Sequence, residues 1–321
     1  MCVLAQILQN LPQVLVDGIT LGAVYATVAL GYTMVYGILE LINFAHGEIF
    51  MTGAFIGTAV LMGLNAAGVL AAIPKGAALL VALAAAMVIT GLLGVGIERV
   101  AYRPLRKAPR LIPLISAIGV SFVLQDVVRF IAEWRTGNYI VTGISLFDSE
   151  ISFGPVTVKT NALIVLGAAI VMMAGLDLFV QRTKWGTAMR AVAQDKDTAA
   201  LMSIDVNKVI ALTFFVGSAL GGATGVLFAQ QYGTIDPYIG FILGLKAFTA
   251  AVLGGIGNIR GAMFGGFVLG ILEMFASAEL SVLTGGVLRA EYKDVFAFLI
   301  LIAVLLFKPE GLFGQVVKEK V

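Results

Sequence analysis

The 321-residue chain lacks most of what soluble enzymes work with. Its one cysteine, Cys2, cannot form an internal disulfide. Its one histidine, His46, excludes a multi-histidine metal site. Charged residues make up only 12% of the chain, against about 25% in ordinary soluble domains. No G-x-x-x-x-G-K-[ST] phosphate loop occurs, so the chain is not expected to hydrolyse ATP by itself. No catalytic triad, carboxylate pair or metal-ligand cluster can be picked out. No basic segment precedes the first apolar run, which is too long for a signal-peptide core and reads as a retained span.

What remains is apolar. Sixty per cent of the residues are hydrophobic, and the mean hydropathy is +1.00. The apolar runs approach the ~20 residues needed to cross a bilayer as helix. They do not alternate in the ~10-residue segments of a membrane β-barrel. The expected fold is an all-α polytopic membrane protein with about eight to ten transmembrane helices. Candidate spans are 11–38, 47–65, 76–98, 111–132, 161–181, 208–231, 239–259, 261–280 and 292–307. Residues 1–321 form a single transmembrane domain in this reading.

Three basic clusters orient it. Arg99, Arg103, Arg106, Lys107 and Arg110 follow the third span, and Arg182, Lys184, Arg190, Lys196 and Lys208 surround the segment after the fifth. Lys308, Lys318 and Lys320 follow the last. All three fall on one side, which the positive-inside rule makes cytoplasmic. The C-terminus is then cytoplasmic and the N-terminus external. Loop 133–160, with Trp134, Tyr139 and Phe147, is external and the largest surface there. Its stretch from Ser152 to Val158 suggests a turn and a short extended piece.

The most informative segment is the polar island 182–208 between two apolar spans. Ala and Met in its middle, in place of turn residues, predict a short helix. A bare connector needs none, so the helix reads as a docking element for a separate partner. Two further constellations stand out. In Asn43-Phe44-Ala45-His46-Gly47-Glu48, Asn43 is placed to cap the second helix with His46 in its first turn. Glu48 there is favoured by the helix dipole and shares a face with Thr52. The alternative is that Asn43, His46, Glu48 and Thr52 line a translocation path. Lys246 lies inside an apolar run with Thr249. It either snorkels toward the external surface, the simpler account, or pairs with a carboxylate. The Gly254-Gly255-Ile256-Gly257-Asn258 stretch breaks that run, as a re-entrant tip or a tight turn. Asp126, Asp177 and Glu273 are the other intramembrane charges, and Asp126 is spaced to pair with Arg129. Small-xxx-small glycines, Gly217/Gly221/Gly225 and Gly261/Gly265 with Gly266/Gly270, predict close helix packing.

Several of these pieces together carry a family resemblance: Gly31-Tyr32-Thr33-Met34-Val35-Tyr36-Gly37; Ile42-Asn43-Phe44-Ala45-His46-Gly47-Glu48; Met189-Arg190-Ala191 with Ala199-Ala200-Leu201-Met202; Lys246-Ala247-Phe248-Thr249-Ala250 through Gly257; and Lys308-Pro309-Glu310-Gly311. The chain resembles the permease subunits of branched-chain amino-acid ABC transporters, most closely the H-type, over nearly its whole length. The resemblance implies a bacterial inner-membrane importer subunit. Its partners would be a second permease (paralogue or self), two cytoplasmic ATPase subunits that bind the ATP, and a periplasmic substrate-binding protein. It implies no cofactor on this chain and no nucleic acid. Segment 182–208 would be the coupling loop to the ATPase, with Gly186, Met189, Arg190, Asp195, Ala199, Ala200 and Ser203 as coupling residues. The family usually has glycine where this chain has Ser203, and proline is common where Arg260 stands. A permease for urea, short amides or another amino acid is the nearest rival reading. An ion-coupled transporter using His46, Glu48 and Lys246 and a non-transporting scaffold are the others.

Overall fold

A computed structural model describes the backbone of residues 3–106, 108–109 and 111–314, with side chains from residue 7 onward. Cys2, Lys107, Arg110, Lys318 and Lys320 lie outside the described residues. The chain runs α1 (Val3–Leu39), α2 (His46–Ala66), α3 (Lys75–Ile97), α4 (Leu111–Thr136), β1 (Val141–Thr142), β2 (Glu150–Phe153), β3 (Val156–Lys159) and α5 (Thr160–Arg182). It continues with α6 (Lys184–Gln194), α7 (Lys196–Leu201), α8 (Val206–Tyr232), β4 (Thr234–Ile235), α9 (Ile239–Gly254), α10 (Ile259–Leu283) and α11 (Lys293–Phe307).

A helix accompanies each of the nine expected spans, but they are not equivalent. Among the described residues seven are long and apolar enough to cross a membrane: α1, α2, α3 with the turns that extend it, α4, α5, α8 and α10. Helix α9 has 16 residues and α11 has 15. At 1.5 Å per residue α9 is only about 24 Å long, short of a ~30 Å hydrocarbon core. The cause is local. Gly255 and Gly257 adopt φ of 103° and 93°, which stops α9 five residues before the expected end of its span. Asn258 then caps α10, its Oδ1 accepting from the Gly261 amide at 3.1 Å. The glycine-rich stretch is thus a tight turn. Residues 312 and 313 close it from outside, their amides donating to the Leu253 and Gly254 carbonyls.

Helices α1 and α8 form the interior. Helix α1 packs along α10 and α8, while α8 also packs on α2 and α3. The α1–α10 seam is built from small residues. Cβ atoms on Gly22 or Gly270 would collide with the backbone of the facing helix. Small residues let helices approach where lipid offers no hydrophobic drive for association. The outer surface is apolar: Ile115, Phe122 and Phe130 on α4, Leu80 and Leu92 on α3, and Val171 on α5 are all exposed. So many exposed large apolar side chains on these helices suit acyl chains, not water.

The segment 133–160 is ordered. Strands β2 and β3 form a hairpin that turns at Gly154, whose φ is +60°, and β1 pairs antiparallel with β4. Gln13 on α1 donates to the Thr157 carbonyl and accepts from its amide, tying the hairpin to the bundle. Gln230 at the end of α8 holds Ile144 and Leu146 in the same way.

Candidate functional site

The polar island folds as two short helices. Thr183 caps α6 by accepting from the Gly186 amide at 3.0 Å. Gly186 sits against the last turn of α5, where a Cβ would collide with the Phe179 and Val180 carbonyl oxygens. Arg190 reaches back across this corner. Its guanidinium donates to the Val180 carbonyl and lies 3.4 Å from Thr187 Oγ1. It thereby satisfies an orphan carbonyl at the end of α5 and fixes α6 to it. Met189 and Val192 are buried on the inner side of α6, which packs against α5, α1 and α8.

Asp195 ends α6 and caps α7. Its Oδ1 accepts from the Asp197 and Thr198 amides at 2.9 and 3.1 Å, and its Oδ2 accepts from Thr198 Oγ1 at 2.6 Å. Those bonds, the Thr198 hydroxyl foremost, hold its carboxyl below the usual aspartate range. Of the expected coupling residues, Gly186, Met189 and Ala199 are buried, while Arg190, Asp195, Ala200 and Ser203 are exposed. Ser203 has φ of +64°, the left-handed conformation that a glycine would adopt most readily. There its neighbour's amide, Ile204 N, donates to Ala199 O and the Ser203 amide donates to Ala200 O, closing the helix end.

Leu201 and Met202, outside the expected coupling set, stand out on the surface of this segment. They project from the end of α7 with 85% and 73% of their surface exposed, beside exposed Ala200. Two large apolar side chains inside a polar island were the available signal.

The segment is also wired to the third span. Arg106 pairs with Glu98 on a π-helical turn, Glu98–Tyr102, and donates to Asn207 Oδ1 at 2.7 Å. Tyr102 donates to Asn43 Oδ1 at 2.9 Å. Asn43 is therefore not the side-chain cap expected for α2, whose N-cap is Ala45. The tyrosine competes for its carbonyl oxygen, and only the Asn43 backbone serves the helix, accepting from the His46 amide.

His46 does open α2. Its ring lies buried against Gly31 and Gly221, edge-on to Tyr32 at 4.8 Å. Glu48 is fully buried. Its Oε1 accepts from Gln125 at 2.8 Å and Ser121 at 3.1 Å, both on α4, and its Oε2 lies against Gly240 of α9. Thr52 and Thr249 each bond a backbone carbonyl one turn back, Glu48 O and Leu245 O.

Lys246 does not snorkel. Its Nζ donates to Glu273 Oε1 at 2.7 Å on α10 and lies 2.6 Å from Asp294 Oδ1 on α11. Tyr25 on α1 donates to Glu273 Oε2 at 2.8 Å. The desolvation cost of a bare ammonium, which grows where water is absent, is met by two carboxylates instead of by a reach to the surface. This cluster borders a cavity of about 410 Å3 between α1, α8, α9 and α10. A cavity of about 330 Å3 next to it is lined by β3 and shares Asp17, Gln231 and Tyr232. Both lie at the end of the bundle opposite α6 and α7. Glu48 faces α4 and α9, whereas Lys246 faces α10 and α11; among the described residues no hydrogen bond or ion pair joins the two. Asp126 pairs with Arg129 at 3.5 Å, as their spacing predicts, and Asp177 pairs with Arg260 at 3.1 Å. No group of three metal-ligating side chains is assembled among the described residues.

Comparison with known proteins places this architecture. A family profile described as branched-chain amino acid transport system / permease component matches residues 14–305. The chain is 45% identical to the high-affinity branched-chain amino acid transport system permease protein BraD of Pseudomonas aeruginosa, covering 96% of this chain and 97% of that one. It is 44% identical to the corresponding permease LivH of Escherichia coli over the same shares. A solved structure, PsaBC from Streptococcus pneumoniae in complex with Fab, is similar in fold with a TM-score of 0.50 at 12% identity, covering 96% of this chain and 97% of that one.

Proposed function

Because the chain belongs to the branched-chain amino acid transport system permease family, we propose that it is a membrane-spanning permease subunit of an ABC importer for leucine, isoleucine and valine. It lies in the bacterial inner membrane with its C-terminus in the cytoplasm. Separate ATPase subunits bind and hydrolyse ATP, a second permease completes the path, and a periplasmic binding protein delivers cargo.

The observation that carries the coupling role is the build of α6 and α7. Helix α6 is locked to the end of α5 through Gly186 and Arg190, so a push on it moves a span. Helix α7 is held by its own caps and presents Leu201 and Met202 outward. An exposed apolar pair on a rigid short helix suits insertion into a groove on a partner. Arg190 and Asp195 act within this chain, one as the anchor of α6 and the other as the cap of α7. The coupling contact itself falls to Ala200, Leu201 and Met202. ATP-driven approach of the two ATPases displaces α6–α7. The Arg106 linkage to Glu98 and Asn207 carries that displacement to the third span.

Leu201→Asp in the co-expressed complex tests this. The variant should insert normally but lose the ATPase on purification. An ATPase retained at wild-type stoichiometry, with uptake intact, would contradict the coupling assignment.

A further inference from the structure

The cavity bordered by Lys246 contains polar groups in two conditions. Lys246, Glu273 and Tyr25, which engage one another, line one part of it, and Lys246 also stands 2.6 Å from Asp294 Oδ1. Asp17, Gln231 and Lys293 also line it, and these are incompletely engaged. Gln231 Oε1 is buried without a hydrogen-bond partner. Asp17 accepts from Gln13 at 3.0 Å but pairs with no cation among the described residues. Lys293 stands 3.9 Å from Glu273 Oε1, too far for a good charge-assisted hydrogen bond, and its side chain is part-exposed.

Two acceptors therefore want donors, and one ammonium wants an acceptor, within one cavity. Leu21, Phe228, Leu243 and Met274 supply its apolar wall. A volume of about 410 Å3 lies in the range of small-molecule sites. A pure cation would leave Lys293 with only its 3.9 Å contact to Glu273, and a pure anion would leave Gln231 Oε1 without a donor and Asp17 with Gln13 alone. We propose that this cavity binds one zwitterionic α-amino acid with an aliphatic side chain, its ammonium held by Asp17 and Gln231 and its carboxylate by Lys293. The choice of leucine as the solute to test rests on the importer reading above. The geometry of the site does not. The adjoining cavity, which shares Asp17 and Gln231 and reaches Thr157 and Lys159 on β3, supplies access from the hairpin end.

The test is tritiated L-leucine binding to the purified complex of permeases and ATPases without its binding protein. L-leucinamide, which lacks the carboxylate, and 4-methylpentanoate, which lacks the ammonium, serve as competitors. The wild type should prefer leucine to both. Lys293→Gln should weaken leucine about ten-fold or more and leave leucinamide unchanged. Asp17→Asn should weaken leucine and leave 4-methylpentanoate unchanged. Leu243→Trp, which fills the cavity and keeps every polar group, should abolish binding. Absence of leucine binding to the wild type, wild-type binding in Leu243→Trp, or variants that leave the leucine/analogue ratios unmoved would each overturn the site. Binding as described with no ATP-dependent uptake would instead sink the importer reading and spare the site.

Discussion

Lys246 on α9 and Glu273 on α10 meet at 2.7 Å, with only 6% and 1% of their side chains exposed. A buried ion pair is weak support for stability as such, because removing two charges from water costs nearly what their attraction returns. It is strong support for a fixed geometry, since neither partner tolerates the loss of the other. Lys246→Met should destabilise the purified protein by about 3–5 kcal/mol, and Glu273→Gln should also lower its stability. Lys246→Met/Glu273→Met should cost less than the sum of the singles, with a coupling of roughly 0.5–3 kcal/mol. Additive effects in a thermal-stability cycle would contradict the pairing.

Ser203 holds a left-handed backbone at φ +64°. Left-handed geometry costs a residue with a Cβ about 1–2 kcal/mol. Ser203→Gly should therefore slow hydrogen exchange at the Ile204 amide, which closes the end of α7. Ser203→Val should speed it. The reverse order would show that the turn is not held as described.

Gly186 admits no side chain without collision with the carbonyls at the end of α5. Gly186→Leu should separate α6 from α5, leaving protein in the membrane at normal amounts while uptake falls several-fold. Arg190→Glu should do the same, because it removes the second tie between these helices. Uptake at the wild-type rate in either variant would show that the corner transmits nothing.

Asp195 should cap α7 throughout the physiological range. Its folded carboxyl is held below the usual value by Thr198, so its contribution is fully present above the unfolded pKa, near 3.9. It is lost only as pH falls through the lower folded value. Amide protection at Asp197 and Thr198 should stay flat from pH 7 to 5 and decline only in stronger acid. Asp195→Ala should remove it at every pH, and a decline centred near pH 6 would point to a different group.

Much of the bundle was legible in the sequence because its determinants are local. Apolar runs marked every long helix, the polar island announced a helix, and Gly154 and Pro155 marked the hairpin turn. Asp126 and Arg129 pair because three residues of helix separate them. What stayed hidden depends on chain far away. The partners of Lys246 lie 27 and 48 positions downstream, so solitary reading favoured snorkelling. Glu48 is satisfied by Ser121 and Gln125 on another helix, and Asn43 by Tyr102. The glycines of 254–258 did mark the break that ends α9 at Gly254, but not whether it is a re-entrant tip or a tight turn, which the positive φ of Gly255 and Gly257 decides. In the coupling segment Arg190 and Asp195, expected there from the family resemblance, are exposed and also hold α6 and α7, a local role set by the Val180 carbonyl and the Thr198 hydroxyl.

The most direct measurement is leucine uptake into proteoliposomes containing this chain, its partner permease and the ATPases, with binding protein outside and ATP inside. The account predicts accumulation that requires ATP and all components, is unaffected by ionophores, and is lost in Leu201→Asp. Uptake by this chain alone, driven by an ion gradient and abolished by ionophores, would contradict it.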